Sequence, residues 1–189
     1  MPAYAPPEDL VTERLSLRAF VPSDVDSLFA IYGRDDVVRY LYEDAYTEAD
    51  ARAALDTRMA RRRIDAEGDK LAFAVVRRSD DVMVGDCVLV WTSAQHSQAE
   101  IGYAMHPDHH GMGYATEAAR ELLRVAFEEL GVHRVIGRTE ARNTASARVM
   151  EKLGMRREAH LIENEYVKDE WQSELVYAML QREWRGGSV

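Results

Sequence analysis

The chain has 189 residues, long enough for one domain with a buried core. Its 47% hydrophobic and 30% charged residues are ordinary for a globular protein, and no run approaches the ~18 apolar residues that a membrane helix needs. Thirty-three acidic against 24 basic residues give a net charge of −9, which argues against broad nucleic-acid binding and leans toward cationic partners such as amines or basic peptides.

The opening MPAYAPPEDL carries three prolines and reads as an N-terminal arm over about residues 1–10. It has no basic patch before an apolar core, so a secretory signal is not expected. RLSLRAF (Arg14 to Phe20) sets Leu15, Leu17 and Ala19 against polar neighbours, the period of a half-buried strand. Pro22, Ser23 and Asp24 open a helix through Val25, Leu28, Phe29 and Tyr32, closed by Gly33. A second helix runs from Thr47 to about Ile64, with Asp50 placed to complete a capping box on Thr47. Between the two lies an irregular aromatic stretch containing Tyr40, Leu41, Tyr42 and Tyr46.

From Lys70 the texture changes. LAFAVV (Leu71 to Val76), MVGDCVLVW (Met83 to Trp91) and AEIGYAM (Ala99 to Met105) are strand-like, and the short polar connections between them predict an antiparallel meander. Ala115, Ala118, Ala119, Leu122, Leu123, Ala126 and Leu130 then recur at helical spacing up to Gly131. HRVIGRTE (His133 to Glu140) follows a helical crossover, so it is expected parallel to the Ala99 strand. A short helix spans Asn143 to Leu153, closed by Gly154. Two last strands, near Met155 to Tyr166 and Trp171 to Leu180, are joined by VKDE as a hairpin. The whole reads as one mixed α/β domain over residues 1–189. Its one cysteine, Cys87, permits no internal disulfide, which makes a reducing cytoplasm the default location.

HHGMGYA (His109 to Ala115) stands at the start of the long apolar helix, and no Ser, Thr, Asp or Asn in it can cap that helix. A helix N-terminus leaves its first N–H groups unpaired and partly positive. Gly111 and Gly113 carry no Cβ, so the backbone there can approach a ligand closely. The turn therefore either leaves its donors to water or cradles a phosphate. A P-loop is excluded because no Lys follows the glycines, and the dinucleotide fingerprint fails because Thr116 stands where a third Gly or Ala belongs. His106, Asp108, His109 and His110 form an HxxHH pattern, but neighbouring ligands in one loop do not converge without a distant third group, so no metal is expected.

HHGMGYATEA is similar to the acyl-coenzyme A loop of the GNAT acetyltransferases, written Q/R-x-x-G-x-G/A, with His110, Gly113 and Ala115 at the marked positions. The YATEA continuation, NTASARVMEKLGM (Asn143 to Met155), the opening TERLSLRAF and the closing WQSELVYAML resemble the branch that holds the ribosomal-protein N-terminal acetyltransferases. The likeness runs through residues 11 to 182 in one order. It implies the GNAT fold, a central twisted mixed sheet of about seven strands with four helices. It also implies acetyl-CoA as co-substrate, held through Met105, His110, Gly111, Met112, Gly113, Tyr114, Ala115 and Thr116, with Asn143 and Ser146 on the pantetheine arm. Two positions depart from the pattern. His110 replaces Gln or Arg, and Met150 stands where many members place a proton-donating Tyr seven residues after the Asn.

The implied chemistry is acetyl transfer to a primary amine, with a protein or peptide α-amine as first expectation and a small-molecule amine, such as an antibiotic or polyamine, as second. A third expectation is an acyl-CoA-binding sensor that has lost its proton relay. A lysine-like amine of pKa ~10.4 is neutral about once in two to three thousand molecules at pH 7, so a base helps. Glu100, in the strand before the loop, is the candidate base or else a solvated carboxylate. Ser146 is the candidate acid in place of Met150, or else a helix residue bonding its own turn. Backbone N–H groups around Met105 would face the acetyl oxygen. Tyr40, Glu43, Trp91 and Tyr177 are candidates for lining the acceptor pocket. RMARRR (Arg58 to Arg63) reads as a solvated helix end. The resemblance also allows a homodimer.

Overall fold

The computed structural model describes residues 3–6 and 9–186. Eight strands form one sheet: β1 (Asp9–Val11), β2 (Leu15–Arg18), β3 (Lys70–Arg77), β4 (Val82–Ser93), β5 (Gln98–Met105), β6 (Arg134–Glu140), β7 (Arg156–Val167) and β8 (Glu170–Leu180). They lie in the order β1-β2-β3-β4-β5-β6-β8-β7. Six helices accompany them: α1 (Val25–Tyr32), α2 (Asp35–Val38), α3 (Glu48–Ala60), α4 (Tyr114–Arg124), α5 (Thr144–Lys152) and α6 (Gln181–Gly186). The sheet thus has one strand more than expected. Asp9–Val11, read in part as the arm, pairs antiparallel with β2 as an edge strand. The short α2 and α6 account for the extra helices.

The local chemistry explains the boundaries. Thr47 caps α3 through a reciprocal pair, with the Asp50 N–H donating to Thr47 Oγ1 at 3.2 Å and the Thr47 N–H to Asp50 Oδ2 at 2.9 Å. The helix stops at Ala60, short of Ile64, whose backbone bridges Tyr4 instead. In the β7–β8 hairpin Lys168 and Asp169 both take left-handed φ values, 52° and 60°, as a two-residue turn between Val167 and Glu170 requires.

Side-chain alternation splits the core in two. Ala99, Ile101 and Met105 of β5 face α4 and α5, together with Leu71, Phe73, Leu89, Leu122, Val135, Leu175 and Tyr177. On the other face Ala72, Ala74 and Val76 of β3 pack on Leu28, Ile31 and Leu55 of α1 and α3, with Ala104 of β5 against them. The sequence places Glu100 and Gly102 on this second face, in register with Ala104.

One pairing is unlike the rest. β5 and β6 run parallel and pair only at Gln98–Arg134, Ala99–Val135 and Glu100–Ile136. Beyond Glu100, β5 stays paired with β4 to Met105, while β6 stays paired with β8 to Glu140. The two strands therefore part, and a V-shaped cleft opens at Glu100.

Candidate active site

The cleft leads to the start of α4. Gly113, the N-cap residue, has φ +83° and Gly111 has φ +77°, conformations that suit glycine. Among the described residues, no group accepts a hydrogen bond from the N–H of Gly111, Met112, Gly113, Tyr114, Ala115 or Thr116. Six adjacent donors at the positive end of an 11-residue helix can bind an anion such as a phosphate. His110 is not one of these donors. Its own N–H donates to Pro107 O at 3.0 Å, and its ring Nε2 lies 3.0 Å from Met105 O. His110 thus fixes the end of β5 against the loop. Among the described residues no three His, Cys, Asp or Glu side chains converge as metal ligands.

The loop is also braced from β2. Arg14 Nη1 donates to Met112 O at 2.9 Å, its Nε donates to Glu117 Oε2 at 2.7 Å, and its guanidinium lies 4.9 Å from the centre of the Tyr114 ring. Thr12 Oγ1 and the Arg14 N–H both donate to Glu117 Oε1. Burial alone would raise the Glu117 carboxyl, but these bonds outweigh it and hold its pKa low. RLSLRAF signals a strand; nothing in its spacing announces a brace from Arg14 to α4.

One wall of the cleft presents backbone donors. The His106 N–H is committed to Val84 O at 2.9 Å, so two-residue alternation turns the N–H groups of Met105 and Tyr103 toward the open side. The opposite wall begins at α5. Asn143 caps that helix, its Oδ1 accepting from the Ser146 N–H at 3.1 Å, which leaves its amide donors for a ligand.

Tyr103, passed over in the sequence, joins the two walls. Its hydroxyl donates to Ser146 O at 3.0 Å and lies 3.2 Å from Ser146 Oγ. Burial pushes its pKa up to about 12, partly offset by the Ser146 bond, so the phenol stays protonated at neutral pH. Met150 is 1% exposed, and its sulfur sits 2.7 Å from where a Cβ on Gly137 would be. That position belongs to the core. A hydroxyl reaches the cleft from the facing strand instead, and the alternation of AEIGYAM, which puts Tyr103 beside Ile101 and Met105 toward α5, was the readable signal.

Glu100 stands at the fork on the other face. Its Oε2 lies 3.5 Å from Arg138 Nε. Burial raises its pKa, and Arg138 and Lys70 oppose the rise. Gly102 and Ala104 continue this face with little side chain, leaving room beside the carboxylate. Glu174 of β8 shares the face; burial raises its pKa, Arg138 opposes, and Glu165 and Glu100 add to the rise. Tyr42 donates to Glu165 Oε2 at 2.5 Å, and Lys168 Nζ donates to Val38 O at 2.8 Å and Glu43 O at 2.6 Å. The β7–β8 turn is thereby tied to the loop between α2 and α3.

Other pocket candidates lie elsewhere. Trp91 is 5% exposed in the core against α4, on the opposite side of the sheet from Glu100. Tyr177 is 1% exposed on that same side, and its hydroxyl donates to Glu151 of α5 at 3.0 Å. Alternation along β4 and β8 directs both away from the Glu100 face. Tyr40 is half-buried with Arg39 over its ring, and Glu43 contributes only its carbonyl to Lys168. Arg58, expected in a solvated helix end, is instead largely buried; its Nε donates to Asp86 Oδ2 at 2.8 Å, beside Tyr32, whose hydroxyl donates to Asp86 Oδ1 at 2.7 Å.

Residues 14–156 match the acetyltransferase (GNAT) domain. The chain belongs to the GNAT acetyltransferases. A Bacillus subtilis protein named as an uncharacterized N-acetyltransferase, YnaD, is 33% identical over 93% of this chain and 98% of its own. A GNAT-family acetyltransferase from Bacillus anthracis superposes with a TM-score of 0.83 at 33% identity, covering 93% of this chain and 99% of that one. The spermidine N-acetyltransferase of Vibrio cholerae, solved with CoA and spermine, shares the fold with a TM-score of 0.77 at 20% identity, over 92% and 99% of the two chains. This GNAT protein is an acetyl-CoA-dependent N-acetyltransferase. Among the described residues no helix is long and apolar enough to cross a membrane.

Proposed function

We propose that the chain transfers an acetyl group to a primary amine delivered from the Glu100 face, with Glu100 as base and the Tyr103–Ser146 hydroxyl pair as acid. The position of Glu100 at the fork between β5 and β6 carries this reading. The residues present fit acetyl-CoA: the N–H groups from Gly111 to Thr116 would hold its pyrophosphate, and Asn143 and Ser146 its arm. Bound there, it supplies a thioester carbonyl. The N–H groups of Met105 and Tyr103, turned to the open side of β5, would stabilise negative charge developing on its oxygen. Glu100 takes the proton from the amine, directly or through one water, as the N–C bond forms. The hydroxyl pair returns a proton to the sulfur as the C–S bond breaks, so atoms and charge balance without any redox partner.

The resemblance to the ribosomal-protein branch supports a protein or peptide α-amine as acceptor, and the acid-lined Glu100 face supports a small cationic amine. The single buried Cys87 suits a cytoplasmic location. A thiol-release assay with acetyl-CoA and a panel of peptides and amines tests the reading. Release that depends on a primary amine is expected; tight acetyl-CoA binding with no release for any amine would sink it.

A further inference from the structure

Glu174 is 7% exposed, yet among the described residues no side chain or backbone group hydrogen-bonds or ion-pairs with its carboxylate. Its oxygens keep access to solvent, and a carboxylate on so nearly buried a residue is normally matched by a cation. The charged groups facing it are Arg138, Glu165 and Glu100. Of these, Arg138 stands 3.5 Å from Glu100, and Glu165 accepts from Tyr42. Glu140, opposite Glu174 in register, is bonded by Arg142, so among the described residues Glu174 is the carboxylate of this group left without a partner.

The register gives the spacing. Glu100 pairs with Ile136 and Glu174 pairs with Glu140 on the opposite side of β6, so their backbones stand about 16 Å apart, from ~13 Å along β6 and ~10 Å across it. The way out past Glu174 is roofed by the Tyr42–Glu165 bond and by Lys168 on Val38 and Glu43. Acidic groups beneath these ties suit a slender cation better than a peptide, whose backbone brings polar groups that need partners.

We infer that the acceptor is an aliphatic di- or polyamine, with its reacting amine at Glu100 and a second ammonium held by Glu174 under the Tyr42–Glu165 roof. The inference rests on the proposed acetyl transfer at Glu100 and names its substrate class. A distal ammonium contributes binding in both ground and transition states, so it lowers KM more than it raises kcat.

The test compares butylamine, 1,4-diaminobutane, spermidine and alanine-peptide amides as acceptors. For the unaltered chain, kcat/KM for the diamine and spermidine should exceed that for butylamine at least tenfold, and the excess should shrink at high salt. In Glu174→Gln the diamine-to-butylamine ratio should fall toward one, chiefly through KM. A ratio near one in the unaltered chain, an unaltered ratio in Glu174→Gln, or preference for the peptides would overturn the inference while leaving amine acetylation intact. Release with none of these amines would instead count against acetyl transfer itself. The salt dependence and the ratio in the unaltered chain decide the matter even if Glu174→Gln folds poorly.

Discussion

The two ends of the cleft are built from different materials. At the α4 end the ligand groups are backbone N–H donors, fixed by two glycines at positive φ and by a missing side-chain cap. At the acceptor end they are side chains from β5, β6, β7, β8 and the α2–α3 loop, assembled by sheet register. The first arrangement tolerates side-chain variation because the chain itself does the binding. The second changes identity with any one substitution, so on the proposed reading it is the end that sets which amine is used.

Three variants sharpen that contrast. The largest effect is expected at the acceptor end. Glu100→Gln should lower kcat/KM about 100- to 10,000-fold, the usual range for loss of a general base. In the unaltered enzyme the base must be ionised, and burial raises its pKa, so kcat/KM should climb with pH through a midpoint above that of an ordinary glutamate. The variant should lose that limb of the pH–rate profile. An unchanged profile would remove Glu100 as base.

At the α4 end Gly113→Val forces a β-branched residue to φ +83° and sets its Cβ 3.4 Å from Arg14 Nη2. Strain of about 1–3 kcal/mol corresponds to roughly a 5- to 150-fold rise in the KM for acetyl-CoA. The KM for the amine should stay within a few-fold. Equal damage to both would mean that the two ends are not separable.

Glu117→Gln weakens the brace from Thr12 and Arg14 without touching a ligand. Because the Arg14–Glu117 pair is largely exposed on the arginine side, its loss should raise the KM for acetyl-CoA only about 3- to 10-fold, less at high salt. Isothermal titration with CoA would measure this. An unchanged affinity would make the brace purely structural.

Legibility in the sequence follows the same division. Hydrophobic alternation and glycine stops sufficed to place the meander, the parallel crossover, the hairpin and the capping box on Thr47, because those features depend on near neighbours in the chain. The glycine turn before α4 was readable for the same reason, whereas the hydrogen bond that ties the His110 N–H to Pro107 is not specified by residue types. The acceptor face was mostly hidden. Nothing local distinguishes Glu174 from Glu163 or Glu165, or marks Arg58 as the partner of Asp86 rather than a surface charge. Trp91 and Tyr177 attracted notice as aromatics, but which face they occupy depends on strand phase, and a one-residue shift reverses it. Tyr103 carries no local mark of its role, because its contact with Ser146 spans 43 residues of chain.

The three-pair contact between β5 and β6 has a consequence for how the molecule coheres. Among the described residues it is the only strand-paired seam between a leaf of five strands and a leaf of three. Edge amides beyond the seam have no strand to bond, so a cofactor arm lying along them would act as the missing ninth strand. Binding and sheet closure then become a single event. Without ligand, the leaves should exchange their cleft-facing amide hydrogens readily; with ligand, they should melt as one cooperative unit at a higher temperature.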